Sequence, residues 1–453
     1  MKLLETKVES EGLLTSNDVI YYGFFILHLM KDVPKLFGNI SKKIVQMASR
    51  SGVNQIHIVF NRYFSPPIKD YEHELRNAND SAFEISGPDQ VRPADFSKEL
   101  KNSKFKESLV RFLINDWARD EFAPFIGSKT ILINFDYCYR FEALNSKVIR
   151  AIDNGFSYGS HEEADTKIVY HLSRIDVNCN VLIRCFDTDI LIILLGNMKK
   201  ICSTLKVWLK VGVGNSQRHI NVTKLYEYLR EPLSSALPGY NALSGCDFNP
   251  ACFRKGKSRP WKIIENSLKY QEAFSNLSEM HLSHDTFAVI EEFVCQMYGM
   301  PNVKTVNEAR IIIFNKNYKA KSKNESFREQ VRNYDASNLL PCQSELRQQL
   351  LRTRYIMNLW GNACLERPTD LSPHEHGWSE KDRCYEFVWF TGDQLQKLVD
   401  DIIVQPVDED SSNEKKSDAE NDVWEASSDM ESDDDDGITE FDYDCSGEKI
   451  NEE

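Results

Sequence analysis

Five carboxylates around one predicted helix–strand–helix stretch are the side chains of this sequence best suited to chemistry. They are Glu163, Asp165, Asp187, Asp189 and Asp247. The first pair opens a predicted helix, the second pair follows an apolar run typical of a buried strand, and the last lies in the segment LSGCDF. Carboxylate oxygens are the ligands that hard cations prefer. The sequence therefore predicts a site for Mg²⁺ or Mn²⁺.

The spacing of Asp187 and Asp189 favours a site that holds two metal ions. If the backbone is still extended there, residues two apart point to the same face, roughly 7 Å from each other. That separation suits carboxylates that hold a pair of ions during phosphodiester chemistry. A simpler alternative stays open, because acidic residues in the first turn of a helix complement its dipole, and an Asp at a strand-to-helix turn is a common cap.

Apolar patterning predicts an α/β fold that would bring these carboxylates together. Short apolar or alternating runs predict strands at residues 56–60, 129–135, 181–183 and 204–213. Helical spacing predicts helices at residues 18–36, 37–50, 68–77, 98–117, 221–229, 260–273 and 287–298. Strands separated by helices imply a mostly parallel sheet flanked by helices, and the carboxyl ends of its strands meet at one edge.

Composition divides the chain into three predicted regions. Residues 1–300 carry the α/β pattern and form the first predicted domain. Residues 301–404 are predicted to be a helical region, with helices at 308–314, 343–364 and 393–403. Residues 405–453 are poor in aliphatic side chains and highly charged, which predicts a disordered acidic tail.

Charge is distributed unevenly along the chain. The whole sequence has a formal charge of −14, whereas residues 405–453 contain 20 acidic residues and 3 lysines, so the remainder carries +3. Such a body can approach a polyanion that the tail would repel. The eleven cysteines contain no Cys-x-x-Cys and the chain has no apolar run long enough to span a bilayer. These features predict reduced thiols, no membrane partner, and a nuclear or cytoplasmic rather than a secreted protein.

The blocks HEEADT, VLIRCFDTDILIIL and LSGCDF together resemble the acidic core of PIN-like nucleases of the flap-endonuclease group. That group has a Glu-x-Glu/Asp helix start, an Asp-x-Asp after a buried strand and a Gly-x-Asp-Tyr turn. The resemblance implies a PIN-like nuclease fold and matches the five carboxylates to the group's metal ligands, with Asp187 and Asp189 in the catalytic centre. It also implies that Lys69 and Arg76 lie on a catalytic basic helix over the scissile phosphate, although a solvated helix face explains these two residues equally well.

The segment FRKGKSRPWKII, residues 253–264, resembles the helix–turn–helix with which the same group grips duplex backbone. Gly256 fits the second glycine of that pattern, whereas Arg254 replaces the first and Pro260-Trp261 departs further. The physical sense of the pattern is a tight turn that offers backbone N–H groups to a phosphate. The nucleic-acid-binding residues so implied are Arg254, Lys255, Gly256, Lys257, Arg259 and Lys262. An ordinary basic surface loop is the alternative.

Two positions depart from the resemblance. The group has two further aspartates, one after its first strand and one after the strand that corresponds to residues 56–60. Asn61 stands at the second position, and Tyr21 or Tyr22 stands at the first, where Asp18 is the nearest carboxylate. A neutral amide is a weaker ligand for a hard dication than a carboxylate. Such a site is expected to hold Mg²⁺ or Mn²⁺ poorly and to activate water weakly.

A second resemblance covers most of residues 15–400. The chain is similar to a set of uncharacterised, often mobile-element-associated animal proteins that share the EADT, DTD and GCD blocks and a late His-Gly-Trp block. Here the last block is His376-Gly377-Trp378. This resemblance implies no established activity.

The sequence therefore predicts a nucleic-acid-binding protein, in the first place for DNA, on a nuclease-like fold with weak or no cleavage. One alternative is an active Mg²⁺- or Mn²⁺-dependent, structure-selective nuclease in which Asp18 or a water molecule fills a missing ligand position. Another is an interaction protein whose acidic tail binds basic proteins such as histones. His161, beside the acidic helix, is interpreted as a solvated loop residue.

Overall fold

The computed structural model describes the chain in ranges separated by short gaps. These ranges are residues 2–8, 16–50, 52–64, 68, 82–157, 160–175, 178–185, 189–212, 217–252, 255–279, 281–317, 336–381 and 384–392. They belong to a first compact unit, Met1–Gln394, and the second unit, Leu395–Glu453, lies outside the described residues. The helices predicted at 68–77 and 393–403 and the predicted acidic tail fall almost wholly on residues outside these ranges.

Within the described ranges, eight strands form one mostly parallel sheet. They are β1 (Asp18–Tyr22), β2 (Gln55–Val59), β3 (Thr130–Asn134), β4 (Cys138–Leu144), β5 (Lys147–Ile152), β6 (Asn180–Arg184), β7 (Lys206–Val211) and β8 (Arg218–Asn221). Their order is β5-β4-β3-β2-β1-β6-β7-β8. The five central strands, β3, β2, β1, β6 and β7, are mutually parallel. Strands β4 and β5 at one end of the sheet and β8 at the other end pair antiparallel. The predicted α/β fold with a mostly parallel sheet is confirmed.

Helices flank this sheet. They are α1 (Lys2–Glu5), α2 (Gly23–His28), α3 (Phe37–Ser49), α4 (Phe96–Glu99), α5 (Ser103–Asp116), α6 (Ala123–Ile126), α7 (Ala164–Ser173), α8 (Asp189–Asn197), α9 (Val222–Leu243), α10 (Ser258–Glu265), α11 (Leu268–Ser275), α12 (His284–Met297), α13 (Val306–Asn317) and α14 (Gln343–Gly361). Helix α9 is kinked at Arg230, whose φ is 65°. Pro232, two residues later, cannot donate a backbone hydrogen bond.

Successive strand residues enter two separate hydrophobic clusters, one on each face of the sheet. Val19 and Ile58 pack with α2, α3 and α5, whereas Ile20 and Ile183 pack with α7, α8 and α9. All four side chains are fully buried. Because the crossover helices run against the parallel strands, α7 and α8 both begin at the carboxyl edge of the sheet.

Strand β1 is the largest departure from the predicted elements. Helical spacing predicted one helix over residues 18–36, but the chain forms β1 and then the short helix α2. The first four residues of β1 are all buried. A central parallel strand is apolar on both faces, so it lacks the alternation that marks a half-exposed strand, and a local pattern does not separate it from a helix.

The described part of residues 301–404 contains helices α13 and α14 and a hairpin that the sequence did not predict, β9 (Trp378–Lys381) with β10 (Cys384–Phe387). Buried Arg352 of α14 joins this hairpin to the rest of the unit. Its guanidinium donates to the carbonyl oxygens of Gly377 (3.1 Å) and Val388 (2.8 Å) and to Oδ1 of Asn249 (3.0 Å). Gly377 has a φ of 89°, and a Cβ there would lie 2.9 Å from the Gln348 carbonyl oxygen. The late His-Gly-Trp block is therefore a packing element against α14.

Candidate functional site

The order of the parallel strands makes the edge beyond β1 and β6 a candidate site. From β1 the chain moves outward through β2 and β3 and then returns to β6 on the other side of β1. In open α/β sheets, ligands bind in the crevice at such a switch point, outside the carboxyl ends of the strands. Strand β1 ends at Tyr22 and β6 ends at Arg184. Residues that follow these positions lie beside the crevice.

Asn61 holds the start of α7 at this edge. It follows β2, and its Oδ1 accepts a hydrogen bond of 2.7 Å from the backbone N–H of Ala164, the first residue of α7. Glu163 is the N-cap residue, but its own side chain makes no capping hydrogen bond. The carboxylates of Glu163 and Asp165 both belong to partly exposed residues at the start of this helix.

Buried Lys167 joins α7 to two strand ends beneath the edge. Its Nζ donates to the carbonyl oxygens of Phe60 (2.8 Å), after β2, and Phe135 (3.2 Å), after β3. Burial lowers the pKa of this amine well below its usual value, and nearby Arg62 lowers it further. A neutral amine still carries two N–H groups, which is enough for both carbonyl oxygens. Lys167 therefore sets the position of α7 against the carboxyl ends of β2 and β3.

A chain of hydrogen bonds connects the acidic edge to the basic segment. Asp189, the first residue of α8, accepts a bond of 3.0 Å at Oδ1 from the Asn241 side-chain amide. The Asn241 Oδ1 in turn accepts a bond of 2.6 Å from Nζ of Lys257. Asn241 lies in α9, so three separate elements meet here. The neutral side-chain amide of Asn241 thus links the Lys257 ammonium to the Asp189 carboxylate.

Asp247 lies near the same point. Burial raises the pKa of the Cys246 thiol, the Asp189 and Asp247 carboxylates raise it further, and the Lys257 ammonium lowers it. Asp247 is the next residue in the chain, so the contribution that depends on the fold is that of Asp189, which belongs to α8. The structure thus brings Asp189, Asp247 and Lys257 together.

The spacing of Asp187 and Asp189 stays a prediction, although the extended backbone on which it depends is not present at Asp189. That prediction required an extended backbone, but β6 ends at Arg184 and α8 begins at Asp189. Asp189 is thus helical rather than extended. Asp187 itself lies outside the described residues, as do Lys69, Arg76 and Arg254.

Asp18 lies at the opposite edge of the sheet. It is the first residue of β1, pairs with Gln55 and Val181 at the amino ends of their strands, and contacts the Cys179 thiol at 3.9 Å. Burial raises the pKa of this carboxyl group. The alternative in which Asp18 fills a missing ligand position beside Asp189 is therefore wrong, because the length of β1 separates the two. Tyr22, at the carboxyl end of β1, occupies that side of the crevice.

His161 is buried, so its interpretation as a solvated loop residue is wrong. Its Nδ1 lies 3.0 Å from Oγ1 of Thr166, and its Nε2 lies 2.6 Å from the carbonyl oxygen of Leu365. A carbonyl oxygen only accepts, so Nε2 carries a proton. Burial lowers the pKa of this imidazole to about 4. A segment 204 residues later covers the ring, which the local sequence does not indicate.

Two lysine side chains of the basic segment next to Asp247 point in different directions. Lys257 faces inward to Asn241, whereas the ammonium of Lys255 lies 4.5 Å from the centre of the Tyr298 ring. Gly256 has no positive φ, and a Cβ there would meet no atom within 4 Å. Within the described ranges, neither the backbone conformation nor a close neighbouring atom requires a glycine at this position.

Arg259 and Lys262 lie together in an open cleft of about 500 Å³ between α10, α11 and α12. Lys269 and Tyr270 of α11 line the same cleft, with Glu292 of α12. Lys269 forms an ion pair of 2.8 Å with Glu292. The cleft therefore adds Lys269 to the basic residues that the sequence indicated.

The donor chemistry of the edge suits Mg²⁺ or Mn²⁺, since Glu163, Asp165, Asp189 and Asp247 all offer carboxylate oxygens. Within the described ranges, however, no group of three or more His, Cys, Asp or Glu side chains is arranged to hold a metal ion. The Lys257 ammonium, one amide away from Asp189, also opposes the approach of a second cation. The described residues by themselves do not make a complete metal site.

Sequence reasoning missed Asn241 and Lys167. Asn241 lies six residues before Asp247 in the block NALSGCD. The sequence signal that could have identified it is a polar residue among Tyr240, Ala242 and Leu243. Lys167 precedes the apolar run Ile168-Val169 on the buried side of α7. A charged residue on the apolar face of a helix indicates a specific buried partner.

Comparison with known proteins and a search for membrane spans both give negative findings. No protein-family model matches this sequence, and no curated protein is significantly similar to it. Among the helices of the described ranges, none is both long and apolar enough to cross a membrane.

Proposed function

We propose that this protein binds nucleic acid, in the first place DNA, at the carboxyl edge of its sheet and the basic segment beside it. The fold would be PIN-like, of the flap-endonuclease kind, with an incomplete metal site that gives weak or no cleavage. The observation that carries the proposal is the hydrogen-bond chain from Lys257 through Asn241 to Asp189. This chain connects an ammonium group suited to binding phosphate with a carboxylate suited to binding a metal ion, at the switch point of the sheet.

The arrangement of charges supports binding of a phosphodiester backbone. Basic side chains at Lys255, Arg259 and Lys262 supply cations that contact phosphates without reading sequence. The cleft that holds the last two is open and also contains Lys269. Lys257, two residues before Arg259, links this basic segment to Asp189 through Asn241.

The metal site would be incomplete for identifiable reasons. Asn61 stands where the nuclease group has an aspartate, and its amide oxygen is engaged with the start of α7. Tyr22 stands at the end of β1, and Asp18 lies at the other edge. A site with fewer carboxylates offsets less of the dehydration cost of Mg²⁺.

The test combines binding and cleavage of end-labelled single-stranded, duplex and flapped DNA, with Mg²⁺ and with Mn²⁺. The binding variant replaces Lys255, Arg259 and Lys262 by Gln. Its matched control replaces three exposed basic residues of the far edge and helix α5 by Gln: Lys147, Arg150 and Lys104. We expect salt-sensitive binding that the first variant loses and the control keeps. Absence of salt-sensitive binding by the unmodified protein would overturn the proposal.

An active nuclease is the second candidate, favoured by the position of Asp189 at the start of α8, near the Cys246-Asp247 segment. Its test is the same assay with Asp187→Ala plus Asp189→Ala. Cutting that disappears in this double variant would select the active enzyme and make Asn61 a tolerated ligand change. Cutting that persists would come from another source.

A further inference from the structure

One row of aligned residues crosses β1, β6, β7 and β8 on the sheet face that α2 and α3 cover elsewhere. The register pairs Tyr21 with Arg184, Arg184 with Lys210, and Lys210 with His219. Aligned residues of neighbouring strands point to the same face, and neighbouring strands lie about 4.8 Å apart. Three basic side chains therefore lie within about 10 Å of one another. We call Arg184, Lys210 and His219 the basic row.

The basic row lies where this face is only partly covered. Val181 and Ile183 of β6 are buried, whereas Leu182 and Arg184 are partly exposed. Lys210 and His219 are also partly exposed. In the described ranges, no residue of β7 or β8 belongs to the hydrophobic cluster that fills this face over β1, β2 and β3. Within the described ranges, Arg184, Lys210 and His219 are therefore partly open to solvent, whereas Trp208 in the next row is buried.

The charges of the row repel one another. Burial lowers the pKa of Lys210, and the Arg184 guanidinium lowers it further. The pKa of His219 is lowered by burial and by both Lys210 and Arg184. Arg184 lies over the rings of Tyr21 (5.5 Å) and Phe25 (5.6 Å), and in the described part of the chain neither it nor Lys210 forms an ion pair with a carboxylate. An anion at this row would relieve the repulsion.

The position of the row identifies the kind of anion. Arg184 is the last residue of β6, so the row begins at the same switch point as the acidic edge. A polyanion held at that edge would continue over the row. A row about 10 Å long is matched in length to two or three consecutive phosphates of one backbone.

We propose that the basic row binds the phosphates of a single nucleic-acid strand where that strand leaves the carboxyl edge. The proposal rests on the proposed function and adds a second contact surface, on the sheet face opposite to α8 and α9. Arg184 and Lys210 neutralise successive phosphates, and Leu182 offers apolar surface in the next row of β6. Single-strand surfaces combine backbone cations with apolar contacts in this way.

The test measures binding of a fluorescein-labelled oligothymidylate by fluorescence anisotropy over a range of salt concentrations. The variant is Arg184→Gln with Lys210→Gln. The matched control is Lys206→Gln with Arg218→Gln, which removes the same charge from β7 and β8 outside the row. We expect at least a tenfold loss of affinity at low salt and a slope of log K against log salt that is smaller by about 1.4, from two lost phosphate contacts. The control should stay within twofold of the unmodified protein.

A further variant separates this inference from the proposed function. Lys255→Gln with Lys262→Gln removes charge from the basic segment alone. Loss of binding in that variant with unchanged binding in the row variant overturns the basic row and leaves the proposed function standing. Absence of binding by the unmodified protein overturns both. If the row variant does not fold, Lys210→Gln alone decides, with an expected slope change of about 0.7.

Discussion

The side-chain oxygen of Asn61 accepts a hydrogen bond of 2.7 Å from the backbone N–H of Ala164. This bond joins the end of β2 to the start of α7, two segments far apart in the chain. It places a neutral amide at the positive end of a helix, where a carboxylate would interact more favourably. The resemblance in sequence would match this position to a metal-binding aspartate of the nuclease group.

Replacing Asn61 by Asp is therefore expected to raise the affinity for Mn²⁺. The carboxylate would still accept from Ala164, so the free energy of unfolding should stay equal or rise by about 0.3–1 kcal/mol. Asn61→Ala should lower it by about 1–2 kcal/mol through loss of the cap. Calorimetric titration with Mn²⁺ and urea unfolding measure the two effects.

Asn102 provides the matched control for this prediction. It caps α5 in the same way, with Oδ1 accepting from the backbone N–H groups of Lys104 and Phe105. Asn102→Asp should affect stability similarly and leave Mn²⁺ binding unchanged. Equal Mn²⁺ affinity in the two Asp variants would show that the edge beside Asn61 is not a metal site.

The buried histidines are expected to make the protein sensitive to acid. Burial lowers the pKa of His57 to about 3 and that of His161 to about 4, and the pKa of His171, 2.8 Å from His57, is also lowered. Below pH 6.5 the unfolded chain binds protons that the folded chain does not. Stability is therefore fully present above pH 6.5 and falls toward pH 4, by up to about 1.4 kcal/mol per pH unit for each histidine.

His161→Gln tests this relation, because glutamine can still donate to the Leu365 carbonyl but does not titrate. Urea unfolding between pH 6.5 and pH 4.5 should show that the free energy of unfolding of the variant depends less steeply on pH. The difference in slope should correspond to close to one bound proton. The control is His281→Gln, at an exposed histidine. A slope that His161→Gln leaves unchanged would contradict the assignment.

Gly377→Ala is expected to destabilise the docking of the β9–β10 hairpin. The residue has a φ of 89°, and the new Cβ would approach the Gln348 carbonyl and Cγ of buried Arg352. Backbone strain of this kind costs about 1–3 kcal/mol. The control is Gly361→Ala at the end of α14, where a Cβ meets nothing within 4 Å. Chemical denaturation that finds equal stability for the two variants would argue against a packing role of the late block.

Removal of residues 405–453 is expected to tighten binding of nucleic acid at low salt. That segment carries a formal charge of −17, so its loss removes a competitor for the basic surfaces. Anisotropy titrations with the full chain and the shortened chain measure the change. Unchanged or weaker binding would count against it. Binding of histones that depends on this segment would instead support the interaction-protein alternative.

Local patterning determined much of the architecture. Strands β2, β3, β6 and β7 and most of the long helices follow from apolar runs and helical periodicity, since each must present an apolar side to the core. The acidic start of α7 and the acidic turn before α8 were also evident, because helix starts and strand ends have characteristic residues. Strand β1 was mistaken for a helix, and the hairpin of β4 and β5, with Asn145 and Ser146 at positive φ, was not predicted.

Only the tertiary structure decided what these residues contact. Asn61 caps a helix that begins 103 residues later, Lys257 turns inward to Asn241, and His161 is covered by the segment at Leu365. The basic row exists only because β1, β6, β7 and β8 align Arg184, Lys210 and His219. Periodicity records which side of an element is apolar, but the free energy that selects its partner comes from packing between distant segments, which no local window of sequence contains.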